Sequence, residues 1–408
     1  MWSDPVLVIV CLAVATTQMA WGAVVPVLPA YATDFGASGT QLGLVVAAFG
    51  LGRLVINVPA GLLSGRVDPR IPLLIAVACV VALQALTATA ASLETLLWLR
   101  LGTGLAGGAA ITFGMVLIAE VAVPEERGRA MSLLQGMQLA GGVAGPAVGG
   151  VSAELLGTRA PFLISGAFAL LVLVFGARRL LRSPLRSPEE AGVEGDLSTT
   201  GPVRRMLKDR SFWAICAVGF AVFFHRFGGT QSLIPVIAYT IAGLSVGELG
   251  LLMALVTVVN VLSLPLAGSL SDRVGRKRVI VPGLVLVAVA MPAYVLSETS
   301  AWFVVATLVT GVAMGFSGPA PAAYVTDVAP ADGRGPAIGI FRTSGDLAAV
   351  VGPIALGWLT DVTDYRVAVL ALAAVMLVVA IGFAVTARET VVRRPPRTRA
   401  AAAAPSGL

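Results

Sequence analysis

Long apolar runs separated by short polar breaks set the rhythm of this chain. Twelve such runs can be traced, roughly over 6–30, 41–64, 71–92, 94–120, 129–154, 160–180, 211–240, 248–271, 279–297, 300–327, 336–361 and 365–387. About 20 apolar residues in a helix cross the hydrocarbon core of a bilayer. A helix also satisfies its own backbone polar groups in lipid, which an open strand cannot do. The pattern predicts an all-α polytopic membrane protein with twelve transmembrane helices. Composition agrees: 57% of residues are hydrophobic and 12% charged, against about 25% charged in soluble domains.

The runs repeat. Gly141-Gly-Val-Ala-Gly-Pro-Ala-Val-Gly-Gly150 lies in the fifth, and a second Gly-Pro pair, Gly352-Pro353, lies in the eleventh. Gly145 and Gly352 are 207 residues apart, and the same offset relates Gly61 to Gly268, Arg66 to Arg273, Gly104 to Gly311, Glu120 to Asp327, Arg127-Gly128 to Arg334-Gly335, and Glu154 to Asp361. A gapless offset over that distance indicates a duplicated unit of six spans. Six is even, so both copies enter the membrane in the same sense, as two parallel six-helix repeats. The expected division is an N-terminal bundle over 1–180, a linker with a short amphipathic helix over 181–210, a C-terminal bundle over 211–387, and a disordered tail over 388–408. Glycine lets a neighbouring helix approach to backbone contact, and proline kinks or stiffens a span. Gly141, Gly145, Pro146, Gly149, Gly150, Gly352 and Pro353 are therefore expected at a hinge or interface where two halves move against each other.

Charge sets the orientation. With both termini inside, most of the 28 Lys and Arg fall on the cytoplasmic side, only Arg159 and Arg366 fall outside, and Arg53, Arg100 and Arg226 lie within spans. This is a positive-inside bias, so the net charge of +6 reports topology and no nucleic-acid partner is read from it. The first span has no basic residue before it and reads as a retained helix rather than a secretion signal. Cys11, Cys79 and Cys216 all fall inside spans and imply neither a disulfide framework nor a metal site. Val203 to Trp213 reads as an amphipathic helix on the inner surface, and the basic tail at Arg393 to Arg399 as a disordered segment near anionic lipid.

After span eight the turn reads Gly268-Ser-Leu-Ser-Asp-Arg-Val-Gly-Arg-Lys277. Gly268, Asp272, Arg273, Gly275, Arg276 and Lys277 in that spacing resemble the cytoplasmic-loop signature of the major facilitator superfamily. Arg100-x-x-x-Gly104 resembles that superfamily's span-four motif. Pro124-x-x-Arg127-Gly128 is similar to its link between spans four and five. The Gly141 to Gly150 stretch resembles the span-five motif of its 12-span drug/proton antiporter branch. The resemblance covers about residues 6 to 387. It implies two bundles rocking about a central site lined by spans one, four, seven and ten, with Gly268, Asp272, Arg273, Gly275 and Arg276 forming a conformational latch. The first copy departs from the signature, with Gly65 at the aspartate position and Asp68 at the glycine position. The latch is therefore expected to be one-sided, with Asp272 bracing against the start of span five near Arg127 to Arg129.

An ionisable residue deep in a span costs about 2.5–3.5 kcal/mol on insertion scales, so each calls for a reason. Arg53, Arg100, His225, Arg226, Arg342 and Asp346 are such residues, with Gln84, Gln135, Gln138 and Asn260 as neutral companions. Gln18, Trp21, Arg100, His225, Arg226 and Tyr324 are the expected cavity walls. Asp346 lies one helical turn after Arg342, where the two can pair; it reads either as a structural ion pair or as the proton-carrying carboxylate. His225 and Arg100 are the other candidates for proton coupling. Cations outnumber carboxylates, which fits an anionic or neutral substrate. No nucleotide loop, metal cluster or nucleophile–base set occurs, so neither an enzyme nor an ATP-driven pump is expected. The reading is a monomeric secondary transporter of the cell membrane, multi-pass with both termini cytoplasmic. It would export a small organic molecule such as a drug or secondary metabolite against protons, with no cofactor beyond the proton gradient. The alternative is an uptake symporter or facilitator for a nutrient or organic anion.

Overall fold

The computed structural model describes residues 5–64, 66–123, 126–182, 206–296, 299–330 and 333–390. Among these, all regular structure is helical, and twelve helices are long and apolar enough to cross a membrane. Spans one to six are Pro5–Val24, Gly39–Ser64, Arg70–Ala88, Leu93–Val121, Arg127–Leu156 and Ala160–Arg182. Spans seven to twelve are Arg210–Thr240, Val246–Val274, Lys277–Leu296, Ser300–Val328, Pro336–Val362 and Tyr365–Thr386. The expected class is thus the observed one. Gly65, Pro124, most of the expected linker (183–205) and most of the tail (391–408) lie outside the described residues. So does the first part of the expected surface helix; its last part belongs to span seven, which Asp209 opens by accepting the Ser211 N–H at 2.8 Å.

Local chemistry sets the ends and breaks of the helices. Ser92 and Asp364 accept N–H groups of the first turns of spans four and twelve, and Ser245 with Glu248 forms a full capping box at span eight, each satisfying otherwise orphaned donors. Span one breaks at Val25–Val27 before a short helix, Leu28–Thr33, because Pro29 cannot donate a helical hydrogen bond. Pro292 and Pro319 break spans nine and ten in the same way. The expected first run of 6–30 is therefore a helix, a kink and a second short helix.

Small residues let spans pack at backbone distance. A methyl added at Gly145 would lie 2.8 Å from Gly22 Cα, so span five sits against span one. One at Gly150 would lie 2.7 Å from Gly250 Cα, so another face of span five sits against span eight in the other half. Span eleven mirrors this: Gly352 faces Phe224 of span seven, while Pro353 and Gly357 meet Gly43 and Gly39 of span two. Spans five and eleven thus each bind their own half on one side and the opposite half on the other.

The two halves do not meet equally along their length. At the end away from the termini, Asp361 at the end of span eleven accepts the Gly39 and Thr40 N–H groups at 2.7 and 2.8 Å, and the Thr40 hydroxyl. Glu154 at the end of span five accepts the Gly247 N–H at 2.6 Å and the Ser245 hydroxyl at 2.8 Å. Tyr239 of span seven also donates to the Pro26 carbonyl of the other half. The two halves are thus joined on the far side.

Candidate functional site

Span seven builds the centre of the site. Its helix runs to Phe224, then widens into a π-helical stretch, His225–Leu233, before resuming at Ile234. Such widened turns are rare and concentrate at functional positions. Here Gly228 lies against the Gly352 backbone and Gly229 beside the His225 ring. The stretch opens with His225 and Arg226, which therefore point in different directions. His225 is fully buried; its Nε2 lies 3.4 Å from the Thr230 hydroxyl and its Nδ1 has no hydrogen-bond partner. Arg226 projects into a cavity of about 370 Å³.

That cavity lies between spans seven, eight, ten and eleven, with Leu139 of span five at its edge. Phe223, Val256, Met314 and Phe341 give it an apolar wall; Thr257, Asn260 and Thr307 give it polar points. The Thr257 and Thr307 hydroxyls donate back to the Met253 and Phe303 carbonyls at 2.8 and 2.6 Å, and Asn260 donates to the Gly311 carbonyl at 3.2 Å. Thr257 and Thr307 are thus held by their own helices and Asn260 by span ten, and Arg226 is the charged group among them.

A second polar group sits where the halves meet. Asn57 of span two donates to Asp346 of span eleven at 3.1 Å. The expected Arg342–Asp346 ion pair is not formed within 4 Å; the carboxylate turns toward the other half instead, where Arg53 lies one turn before Asn57. Arg53 and Arg342 both remain within electrostatic reach of Asp346, and Arg226 within reach of Arg53. Helical spacing alone favoured Arg342, and the docking of two halves decided otherwise.

Arg100 is placed differently. It is among the largest fully buried side chains, with its guanidinium carbon 4.8 Å from the Trp21 ring centre and 5.1 Å from that of Phe49. Trp21 and Phe49 stack at 3.8 Å, and Phe227 of span seven adjoins Trp21 at 5.8 Å. The cation is held by ring faces rather than by a carboxylate, an arrangement worth about 2 kcal/mol when desolvated. Trp21 and Arg100 are thus brought together, but behind the cavity wall. Gln18 is half-buried on span one opposite Gly141. Tyr324 is placed away from the cavity: it is buried at the termini end, packs on Phe383, and donates to the Arg388 carbonyl at 2.7 Å.

The loop after span eight is tied to its own half. Arg276 pairs with Asp272 and reaches Asp327 at 3.3 Å, its N–H donates to Glu389 at 2.8 Å, and Gly275 takes a φ of +124° beside that carboxylate. Asp272 does not brace the start of span five; its carboxylate is 68% exposed and its partner is Arg276. In the first copy Asp68 pairs with Arg70 at 2.5 Å, and the hydrogen bond from that guanidinium holds the Asp68 carboxyl below the usual carboxylate range.

Asn57, Phe49, Thr230, Glu154 and Asp361 were not singled out as site residues from sequence. Asn57 had a signal, four residues after Arg53 on the same helix face. The far-side carboxylates had only their shared offset.

The family model described as Major Facilitator Superfamily matches residues 10–247 and 226–408. An uncharacterised MFS-type transporter of Methanocaldococcus jannaschii is 23% identical over 85% of this chain and 89% of its own length. The quinolone resistance protein NorA of Staphylococcus aureus is 28% identical over 41% of this chain and 42% of its own. Among solved structures, a bacterial homologue of the human lysosomal transporter Spinster, inward-facing and occupied, superposes with a TM-score of 0.80 at 17% identity, covering 93% of this chain and 95% of that one. The nucleoside transporter NupG superposes at 0.76 with 14% identity, over 93% and 98%. At these identities the two structures speak for the fold alone.

Proposed function

The chain belongs to the Major Facilitator Superfamily of transporters, and from that premise we propose that it is a proton-coupled exporter of a small amphipathic organic molecule. Substrate enters from the termini side, taken as cytoplasmic from the basic loops; the halves rock, and the far side opens to release it. The observation that carries the coupling is the Asn57–Asp346 hydrogen bond. It places a titratable carboxylate on the seam that must part during rocking, beside Arg53. A carboxylate whose neighbours change between two conformations binds a proton in one and gives it up in the other. Similarity to NorA supports export over uptake. His225 and Arg100 are the alternative proton-linked groups. The protein acts as a monomer in the cell membrane, and the proton gradient is its driving force.

The test is compound susceptibility in an efflux-deficient bacterial host carrying empty vector, this protein or its Asp346→Asn variant at matched membrane levels. Protection by the wild type that is lost in the variant supports the proposal. Protection retained by the variant removes Asp346 from coupling. No protection, or increased sensitivity, replaces export with uptake of a nutrient or organic anion.

A further inference from the structure

We infer that the central cavity is built for an amphipathic organic anion, whose headgroup bridges guanidinium groups of the two halves. This rests on the transport reading above and supplies its substrate class.

Four guanidiniums lie within the spans, on Arg53, Arg100, Arg226 and Arg342, and away from the span ends they face a single carboxylate, Asp346. Arg100 is committed to the Trp21 and Phe49 rings. Of the other three, Arg226 lines the cavity, and Arg53 lies close enough to feel Arg342, Arg226 and Asp346. Among the described residues none of the three makes a hydrogen bond or an ion pair within 4 Å, and the buried Nε of Arg53 has no partner there. One carboxylate, already accepting from Asn57, offsets one of three cations, so the group carries surplus positive charge. Arg226 and Arg342 are exposed and Arg53 is half-buried, so this surplus charge stands where a ligand can reach it. A carboxylate, sulfonate or phosphate would compensate it, and guanidinium binds such groups in a two-pronged fashion.

The cations are also divided between the halves. Arg53 belongs to the first, Arg226 and Arg342 to the second. Like charges repel across the seam, as Arg53 does with Arg226 and Arg342. An anion seated between them replaces that repulsion with attraction to both, so binding itself draws the halves toward closure. A cation would meet three guanidiniums and would have to displace Asn57 from Asp346. The body of the anion has a place beside Arg226, in the pocket of about 370 Å³ walled by Phe223, Val256, Met314 and Phe341. That volume is at the small end for ligand sites and suits a bicyclic ring system.

The test uses the purified full chain in lipid nanodiscs and three probes of one shape: naphthalene-2-sulfonate, 2-naphthylmethylammonium and 2-naphthylmethanol, titrated by calorimetry. The sulfonate should bind at least about tenfold more tightly than the ammonium. Arg226→Gln and Arg53→Gln should each weaken the sulfonate by about tenfold and the neutral probe much less, with an unchanged far-ultraviolet spectrum and thermal melt reporting that the variants are folded. Arg226→Lys keeps the charge and should retain the sulfonate preference. Ammonium binding as tight as sulfonate binding overturns the inference. So does the absence of sulfonate binding at millimolar concentration, or sulfonate affinity unchanged in both glutamine variants. Sulfonate binding without protection in the susceptibility test would keep this inference and remove export; protection against cationic compounds without sulfonate binding would do the reverse.

Discussion

Replacing Asp361 with asparagine and Glu154 with glutamine keeps the shape of both side chains and removes their charge. Each carboxylate sits at the N-terminus of a helix from the opposite half: Asp361 on span two through Gly39 and Thr40, Glu154 on span eight through Ser245 and Gly247. A negative charge at an exposed helix N-terminus is worth about 0.3–1 kcal/mol, and hydrogen bonds to a charged acceptor exceed those to a neutral one. Together these two contributions would approach about 2 kcal/mol in a buried setting; because both groups are exposed, about 1 kcal/mol per clamp applies. The clamps share no partner, so their effects should add to about 2 kcal/mol. That moves the ratio of far-side-closed to far-side-open molecules by about 30-fold, enough to take a population from about 95% closed to about 40%. Spin labels at Leu156→Cys and Val362→Cys, in a background without native cysteines, would report the gap between halves by pulsed electron resonance. Each single variant should raise the long-distance population, and the double variant should raise it further. An unchanged distance distribution in the double variant would refute the idea that these carboxylates hold the gate.

Three further outcomes follow. Gly250→Val should prevent the close approach of spans five and eight, because an added Cβ falls against the Pro146 carbonyl and 2.7 Å from Gly150 Cα; transport should be lost while the protein still inserts, as checked by membrane level and uptake or efflux rate. Arg100→Lys should lower thermal stability by about 1–2 kcal/mol and shift Trp21 emission, since a point charge cannot lie flat on two rings; an unchanged melt and spectrum would argue against the ring-held cation. Asp272→Asn should change the thermal melt by less than about 0.5 kcal/mol, because Arg276 keeps Asp327. If Asp272 braces the termini side only when that side closes, the same variant should alter the transport rate, measured in proteoliposomes.

Much of the fold was legible because lipid imposes a length and a polarity on each span, and because a duplication prints itself as a constant offset. Close helix approach at the Gly-Pro stretches was legible because Gly145 and Gly150 have no side chain to hold neighbours apart. What stayed hidden depends on how helices dock. Asp346 has Arg342 within one turn, yet its bond goes to Asn57, 289 residues away. Trp21 and Arg100 were both picked out, but their stacking with Phe49 needs three helices at known rotation. Tyr324 shares its span with cavity residues such as Thr307 and Met314, but lies past the break at Ser317–Gly318, where the helix changes course. The π-helical turn had a local signal in Gly228-Gly229, though two glycines do not by themselves say that a helix will widen.

The 207-residue offset also relates residues that no longer do the same thing. It maps Arg53 onto Asn260, Arg100 onto Thr307, and Leu139 onto Asp346. Asn260, Thr307 and Leu139 line the pocket, whereas Arg53 and Asp346 lie on the seam between the halves and Arg100 lies over the Trp21 and Phe49 rings. Equivalent positions of the two repeats thus stand in different surroundings, one set walling a pocket and the other carrying charge. Substitutions at Val256, Met314 or Phe341 can therefore reshape the pocket wall without touching the contact between Asn57 and Asp346.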